Sequence, residues 1–111
     1  MKKAIIINSE VMGKGDDKLG SSLMGNFLRK LWASNDKPDI IAFYNSGVKL
    51  MGEGSTVLDA LNGLHDQGVE LVACGTCIDF YELDKKIKVG RRTDMVEIVS
   101  IMMEAEKVIT I

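Results

Sequence analysis

Short, continuous apolar runs alternate along this chain with segments in which apolar residues recur every three or four positions. The runs are rich in β-branched residues, which is typical of strands that are buried on both faces of a parallel sheet. Such runs occupy residues 4–7 and 39–44, and two further strands are predicted over residues 69–73 and 107–111. The helical spacing occupies residues 18–34, 55–67 and 95–105, and a further short helix is predicted to begin at Asp79.

The predicted element order is β-α-β-α-β-α-α-β, within one domain that spans residues 1–111. This alternation favours a three-layer, doubly wound, flavodoxin-like α/β fold with a mainly parallel sheet. The functional crevice of such a fold lies at the carboxyl ends of the strands. Three loops, over residues 8–17, 45–55 and 74–79, converge there, so we expect the functional site among them.

Capping patterns predict where two of the helices begin and end. Ser55 or Thr56 is the expected N-cap of the second helix, and Gly68 is expected to follow its C-terminus. Asp79 is expected to cap the short helix, because Glu82 stands three residues later and completes a capping box.

The last helix is predicted to begin after an N-cap at Thr93 or Asp94. Its apolar spacing predicts a buried face that consists of Met95, Ile98, Val99, Met102 and Ala105. The pair Arg91–Arg92, just before this helix, is predicted to lie in a solvated turn, because cations are unfavourable beside a helix N-terminus.

Composition and charge exclude several classes of function. The net charge of −2 argues against non-specific binding to nucleic acid, which needs a basic surface. No apolar run approaches the roughly 20 residues that cross a bilayer, and the start of the chain lacks signal-peptide features, so we expect a cytoplasmic protein that is not bound to a membrane. One histidine and two cysteines exclude a four-ligand zinc site within one chain. Phosphate-binding motifs are missing, so we expect no cofactor.

The strongest chemical signal is the motif Cys74-Gly75-Thr76-Cys77, directly after the third predicted strand. A strand end followed by a helix N-terminus favours the thiolate, which is the reactive form of cysteine. Gly75 permits close approach of the backbone, and Thr76 can donate a hydrogen bond to a sulfur anion. Two thiols at this spacing can close a disulfide, so one can resolve an adduct on the other. The alternative that both are small hydrophobic residues at a strand end stays open.

The loop after the second predicted strand is the other candidate wall of the site. Backbone donors at its start come from Asn45, Ser46 and Gly47. Lys49 can lower the pKa of a thiol or hold an anionic sulfur species, although a solvated lysine explains the sequence equally well. Leu50 and Met51 are predicted to be exposed at a pocket lip or a subunit interface. The residues predicted to line one pocket with the cysteines are Asn45, Ser46, Gly47, Lys49, Gly75, Thr76 and Asp79.

Three segments of the chain resemble the DsrE/DsrF-like family. They are Asn45–Leu50, Cys74–Tyr81 and Ala105–Ile111. The similarity is closest to the C-terminal domain of the YedF-like branch, which consists of sulfurtransferase-like proteins of selenium metabolism. The likeness runs from the first predicted strand to the last.

The resemblance implies a DsrE-like domain of the kind used in sulfur relays, with a persulfide on the cysteine just after the third strand. Cys74 stands at that position, and Cys77 matches the additional cysteine of the YedF-like branch. Many members have glycine eight residues after the first cysteine, where this chain has Glu82. YedF-like proteins carry an N-terminal TusA-like domain with a Cys-Pro motif, which this chain lacks, so the sulfur partner is expected on another chain, with a TusA-like protein as the candidate. Relatives assemble into oligomers, so a homo-oligomer is expected.

These observations lead to two hypotheses. In the first, the chain is a sulfur carrier or a sulfurtransferase-like protein: Cys74 accepts sulfane sulfur as a persulfide and passes it to a partner thiol, and Cys77 is the resolving thiol. The helix-dipole argument instead favours Cys77 as the carrier, so this choice stays open, as does enzymatic turnover. In the second, the chain is a non-catalytic oligomeric binding module with structural cysteines. A nucleotide-binding domain ranks below both.

Overall fold

The strands pair into one sheet, and all neighbouring pairs are parallel, in the computed structural model, which describes residues 2–111. The strands are β1 (Lys3–Ile7), β2 (Ile40–Phe43), β3 (Glu70–Cys74), β4 (Arg91–Thr93) and β5 (Lys107–Thr110). Their order across the sheet is β4-β3-β2-β1-β5. The predicted α/β fold with a mainly parallel sheet is therefore confirmed.

The helices complete a three-layer arrangement. They are α1 (Asp17–Ala33), α2 (Leu58–Asp66), α3 (Gly75–Phe80) and α4 (Met95–Glu104), and a 3₁₀ helix spans Asn45–Met51. One core contains Met24 of α1 and Leu61 of α2, and the other, on the opposite face of the sheet, contains Ile98 of α4. No helix in the described part of the chain is long and apolar enough to cross a membrane.

The strand β5 does not lie beside the strand that precedes it in the chain. From β1 to β4 each strand lies beside the one before it, whereas the last connection runs from β4 at one edge to β5 at the other.

Within α4, only Ile98 and Ile101 are fully buried, whereas Met95 and Val99 are half exposed. The prediction that Met95 and Val99 lie on the buried face is therefore wrong, because the buried stripe is centred on the two isoleucines.

The strand β4 was not predicted. Residues Arg91–Thr93 form this edge strand, so the predicted solvated turn is wrong. The strand has only three residues, and none of them is apolar, so it carries no hydrophobic strand signal. The Arg91 guanidinium reaches Glu70 of β3 at 2.5 Å and Glu97 of α4 at 2.6 Å, and these ion pairs join β4 to its neighbours.

The helix ends agree with only some of the capping predictions. Asp94 caps α4 by accepting a hydrogen bond from the Glu97 N–H at 3.0 Å, as predicted. Gly68 follows α2 with a φ of +94°, also as predicted. The N-cap of α2 is Val57 and not Ser55 or Thr56. The Ser55 hydroxyl instead accepts from the Val57 N–H at 3.2 Å, so it closes a turn before the helix.

Two further predictions near the site are wrong. The short helix begins at Gly75, so Asp79 lies inside α3, and Glu82 follows the helix with a φ of +56°. Leu50 and Met51 are buried and not exposed, because the 3₁₀ helix turns both side chains into the core beside α2 and β3.

Neutralising Glu97 is expected to reduce stability at neutral pH but not in acid. Hydrogen bonds from Arg91 and then Thr93 lower the pKa of Glu97 from 4.5 to about 2. The folded state thus binds fewer protons than the unfolded chain between these values, so the stabilisation is present above pH 4.5 and is lost as the pH falls toward 2. Because the side chains are partly exposed, Glu97→Gln should cost less than about 1 kcal/mol at pH 7.

Urea unfolding of Glu97→Gln at pH 7 and at pH 3 measures this effect. The control is Glu104→Gln, which removes an exposed carboxylate from the same helix that has no ion-pair partner in the described residues. An equal loss of stability at both pH values for Glu97→Gln would contradict the prediction.

Candidate functional site

The candidate site lies at the carboxyl ends of β2 and β3. These two strands are parallel neighbours, so the segments that follow them emerge at the same edge of the sheet. The 3₁₀ helix begins shortly after β2, and α3 follows β3 directly. Between the two segments is an open pocket of about 330 Å³. It is lined by Tyr44, Asn45, Thr76, Cys77, Phe80, Tyr81 and Met95.

The two cysteines differ in their access to this pocket. Cys74 is the last residue of β3 and is only 3% exposed, whereas Cys77 is partly exposed and lines the pocket. Both are free thiols. A compound that enters the pocket from solvent therefore meets the sulfur of Cys77, whereas Cys74 is almost fully buried.

A backbone N–H is aimed at the sulfur of Cys77. The Asn45 N–H donates to Cys77 Sγ at 3.0 Å. Asn45 has a φ of +51°, in the left-handed region that asparagine tolerates better than most residues. The Tyr81 hydroxyl donates to Asn45 Oδ1 at 3.1 Å. Because Tyr81 follows Cys77 by one helical turn, both side chains meet Asn45 from α3.

Burial outweighs this hydrogen bond in setting the protonation of Cys77. Burial raises the pKa of the Cys77 thiol above its ordinary value of 9.0, while the Asn45 N–H lowers it and the neighbouring Cys74 thiol raises it further. At neutral pH Cys77 is therefore mainly a protonated thiol. The Asn45 N–H is in place to stabilise a negative charge when one forms on the sulfur.

Lys49 contacts the Tyr81 ring, which lines the pocket, but does not itself line the pocket. Its Nζ lies 4.5 Å from the centre of the Tyr81 ring and 3.7 Å from Glu10 Oε1. Ser46 also contacts Glu10, because its hydroxyl accepts from the Glu10 N–H at 3.1 Å. Lys49 and Ser46 thus attach the loop after β1 to the 3₁₀ helix.

A side chain on Gly47 would meet backbone, whereas one on Gly75 would meet the end of a neighbouring arginine side chain. A Cβ on Gly47 would lie 2.4 Å from the carbonyl oxygen of Ile7, at the end of β1. A Cβ on Gly75 would lie 2.6 Å from Nε of Arg92. The Arg92 guanidinium crosses this glycine and binds both carboxylate oxygens of Asp79, at 2.9 and 2.7 Å. Asp79 is thereby tied to β4 and does not line the pocket.

The structure thus brings together only part of the predicted site. Asn45, Thr76 and Cys77 line the pocket, and the remaining predicted residues surround or support it. The lining residues that the sequence did not indicate are Tyr44, Phe80, Tyr81 and Met95. Had the helix been predicted to begin at Gly75, Tyr81 would have been expected on the same helix face as Cys77, one turn later, and therefore in the pocket. Within residues 2–111 no group of three His, Cys, Asp or Glu side chains is arranged to hold a metal ion.

Removing the Tyr81 hydroxyl is expected to raise the pKa of Cys77. In Tyr81→Phe the hydrogen bond to Asn45 Oδ1 is lost, so the Asn45 N–H is held less firmly against Cys77 Sγ. Loss of part of one hydrogen bond to a charged sulfur corresponds to about half a pKa unit. The rate of alkylation by iodoacetamide, measured against pH in a Cys74→Ser background, reports the midpoint.

The matched control for this measurement is Tyr44→Phe. It removes the same hydroxyl from another residue that lines the pocket, and Tyr44 makes no side-chain hydrogen bond within the described residues. A midpoint that moves equally in both variants, or in neither, would show that Tyr81 does not position Asn45.

Comparisons with known proteins identify the fold. No family model matches the chain, and no curated protein matches it. Among solved structures, the ychN protein from E. coli is 22% identical, with a TM-score of 0.67 and full coverage of both chains. MTH1491 from Methanobacterium thermoautotrophicum is 19% identical, with a TM-score of 0.72 over 99% of this chain and 98% of its own. BT1422 from Bacteroides thetaiotaomicron is 15% identical, with a TM-score of 0.68 over 99% of this chain and 95% of its own. The last two are described as proteins of unknown function. The chain therefore shares its whole fold with these small α/β proteins.

Proposed function

We propose that this chain is a sulfur carrier, or a sulfurtransferase-like protein, that holds a persulfide on Cys77 and passes the outer sulfur to a partner thiol. The observation that carries the proposal is the setting of Cys77. Its sulfur opens into a pocket, accepts a hydrogen bond from the Asn45 N–H at 3.0 Å, and has a second free thiol, Cys74, beside it.

The chemistry requires a thiolate at the moment of reaction and an anion after it. The Cys77 thiol loses its proton and attacks the outer sulfur of a donor persulfide. The bond between the two donor sulfurs breaks, its electron pair leaves with the donor thiolate, and Cys77 carries the persulfide. Burial raises the pKa of Cys77, so the reaction must remove a proton from the thiol, and the Asn45 N–H stabilises the charged forms that follow.

The adjacent Cys74 gives the loaded state a second outcome. A Cys74 thiolate that attacks the inner sulfur of the Cys77 persulfide forms the disulfide and expels hydrosulfide. This discharge takes place within one protein molecule, so the burial of Cys74 does not prevent it. The family resemblance assigns the carrier role to Cys74, whereas this proposal assigns it to Cys77, because Cys77 lines the pocket and Cys74 is buried.

The resemblance of Asn45–Leu50 and Cys74–Tyr81 to the DsrE/DsrF-like family supports the same function. On this proposal the chain corresponds to the domain that YedF-like proteins join to a TusA-like carrier. The acceptor thiol would then belong to a TusA-like carrier. A role in selenium metabolism would follow from the same chemistry, with selenium in place of sulfur.

Persulfide loading tests the proposal directly. The reduced protein is incubated with an organic persulfide or with thiosulfate, excess donor is removed, and intact mass spectrometry measures the addition of one sulfur atom. We expect loading in the wild type, none in the Cys74→Ser/Cys77→Ser double variant, and discharge when a reduced protein thiol is added. Equal loading of the wild type and the double variant would overturn the proposal.

A second candidate function, a non-catalytic oligomeric module, has its own supporting observation. Apolar side chains on the outer surface of α4 are strongly exposed, with Val96 at 79% and Met103 at 80%, and Val108 and Ile109 of β5 are partly exposed. Exposed apolar surface of this kind is typical of interfaces. Sedimentation velocity over a range of concentrations measures self-assembly. This function requires, in addition, that neither cysteine takes up sulfur.

A further inference from the structure

The pocket beside Cys77 contains no charged side chain among its seven lining residues. Three of them are aromatic and one is a methionine, namely Tyr44, Phe80, Tyr81 and Met95. The rings of Phe80 and Tyr81 meet edge to face, with their centres 5.0 Å apart. Phe80 is 78% exposed, so one wall of the pocket presents an aromatic surface to solvent next to a thiol. The volume of about 330 Å³ lies in the range of pockets that take small molecules.

Two cations lie against residues in or beside the pocket, and both are already paired. Lys49 lies against the Tyr81 ring and is paired with Glu10, and Arg92 holds both oxygens of Asp79. An inorganic anion that entered the pocket would lose water without gaining a free cation. An uncharged aromatic or aliphatic group would instead bury apolar surface against the rings and the methionine sulfur.

We infer that the sulfur donor for Cys77 is a low-molecular-mass organic persulfide whose uncharged aromatic or aliphatic group occupies this pocket. The inference rests on the proposed sulfur-carrier function and names its substrate class. In the reaction, Cys77–SH and R–S–SH give Cys77–S–SH and R–SH, so one sulfur–sulfur bond breaks, another forms, and no external oxidant or reductant is consumed. The group R binds the pocket before and after transfer, while the sulfane sulfur moves to Cys77.

Two chromogenic disulfides that differ in charge test the pocket. Dithiodipyridine is aromatic and uncharged, whereas dithiobis(nitrobenzoate) is aromatic and dianionic. Both are reacted with the Cys74→Ser protein, folded and unfolded in urea, so that only Cys77 reports. We expect the ratio of the uncharged to the dianionic rate to be at least about tenfold higher in the folded protein, with saturation by the uncharged probe; this corresponds to about 1.4 kcal/mol.

The matched variants are Met95→Ala, Phe80→Ala and Val96→Ala. Met95 and Phe80 line the pocket, so their removal should lower the rate with the uncharged probe several-fold. Val96 is the exposed apolar neighbour of Met95 and does not line the pocket, so its removal should leave both rates unchanged. Equal rate ratios in the folded and unfolded protein would overturn the inference. So would a rate with the uncharged probe that falls as protein concentration rises, because a second copy would then fill the pocket.

Persulfide loading separates this inference from the proposed function. The ratio of the loading rates with benzyl persulfide and with thiosulfate should be at least about tenfold higher in the folded protein than in the urea-unfolded protein. An equal ratio in both states would overturn the donor class while leaving the sulfur-carrier function in place. Selective reaction with dithiodipyridine in a protein that no persulfide donor loads would instead overturn the sulfur-carrier function and, with it, the assignment of the donor.

Discussion

Cys77→Ser is expected to abolish persulfide loading, reducing the added sulfur to the level of the double variant. The serine hydroxyl neither attacks a persulfide at neutral pH nor holds a sulfane sulfur, and the remaining Cys74 is only 3% exposed. A donor that occupies the pocket therefore finds no thiol within reach. Intact mass spectrometry after a short incubation measures the loaded fraction, and digestion followed by peptide mapping locates the added sulfur.

The matched control is Cys74→Ser, which removes the buried thiol and leaves the pocket residue in place. This variant should load as fast as the wild type and keep its persulfide for longer, because it cannot close the disulfide and expel hydrosulfide. The opposite pattern, with loading lost in Cys74→Ser and retained in Cys77→Ser, would place the persulfide on Cys74. The structure would then have to open locally to bring Cys74 into contact with the donor.

Gly47→Ala is expected to give the largest loss of stability among single substitutions near the site, about 3 kcal/mol. The added Cβ would lie 2.4 Å from the Ile7 carbonyl oxygen, which is backbone and accepts the Tyr44 N–H at 3.1 Å. Relief requires the 3₁₀ helix to move away from β1. Such a movement carries Asn45 with it, so the hydrogen bond to Cys77 Sγ should weaken and the pKa of Cys77 should rise.

Urea unfolding measures the stability, and the pH dependence of alkylation measures the site. Gly25→Ala is the matched control, because Gly25 is also buried but its nearest obstacle is the end of the flexible Arg29 side chain, 2.8 Å away. Alanine also favours the helical backbone of α1, so this variant should be neutral or more stable by up to about 1 kcal/mol. A Gly47→Ala protein as stable as Gly25→Ala would show that the contact with β1 is readily relieved.

The parallel sheet was predictable because its central strands are buried on both faces. Residues such as Ile5–Ile7 and Ile41–Phe43 are apolar without alternation, which distinguishes them from strands with one wet face. The edge strand β4 was not predictable in the same way. Its residues gain their extended conformation from pairing with β3 and from the ion pairs of Arg91. The pairing with β3 and the ion pair with Glu70, 21 residues earlier, are not local in sequence.

The site was predictable in its location but not in its composition. Parallel topology brings the end of β2 next to the end of β3, so Asn45 and Cys77 were expected near each other. The predicted start of the short helix depended on Asp79 as its N-cap. Because Asp79 binds Arg92 from β4, its carboxylate was not available to cap a helix, and the true start at Gly75 puts Tyr81 in the pocket.

The packing of the two loops decides between the alternatives for Lys49. Its sequence position after β2 placed it near the thiols, but the 3₁₀ helix turns its side chain toward Glu10 and the Tyr81 ring. A partner that comes from the loop after β1 is distant in sequence. Its effect is visible only when the two loops are packed together.

The strand order has a consequence for how the chain folds during synthesis. Lys3 pairs with Lys107, so β1 obtains its second neighbour only when about 100 further residues have been made. Until then β1 pairs with β2 alone, and its other edge exposes unpaired N–H and C=O groups on an apolar strand. Intermediates of this kind are prone to aggregation. During synthesis, we therefore expect the strongest protection against aggregation from contacts that cover this edge of β1 before β5 emerges.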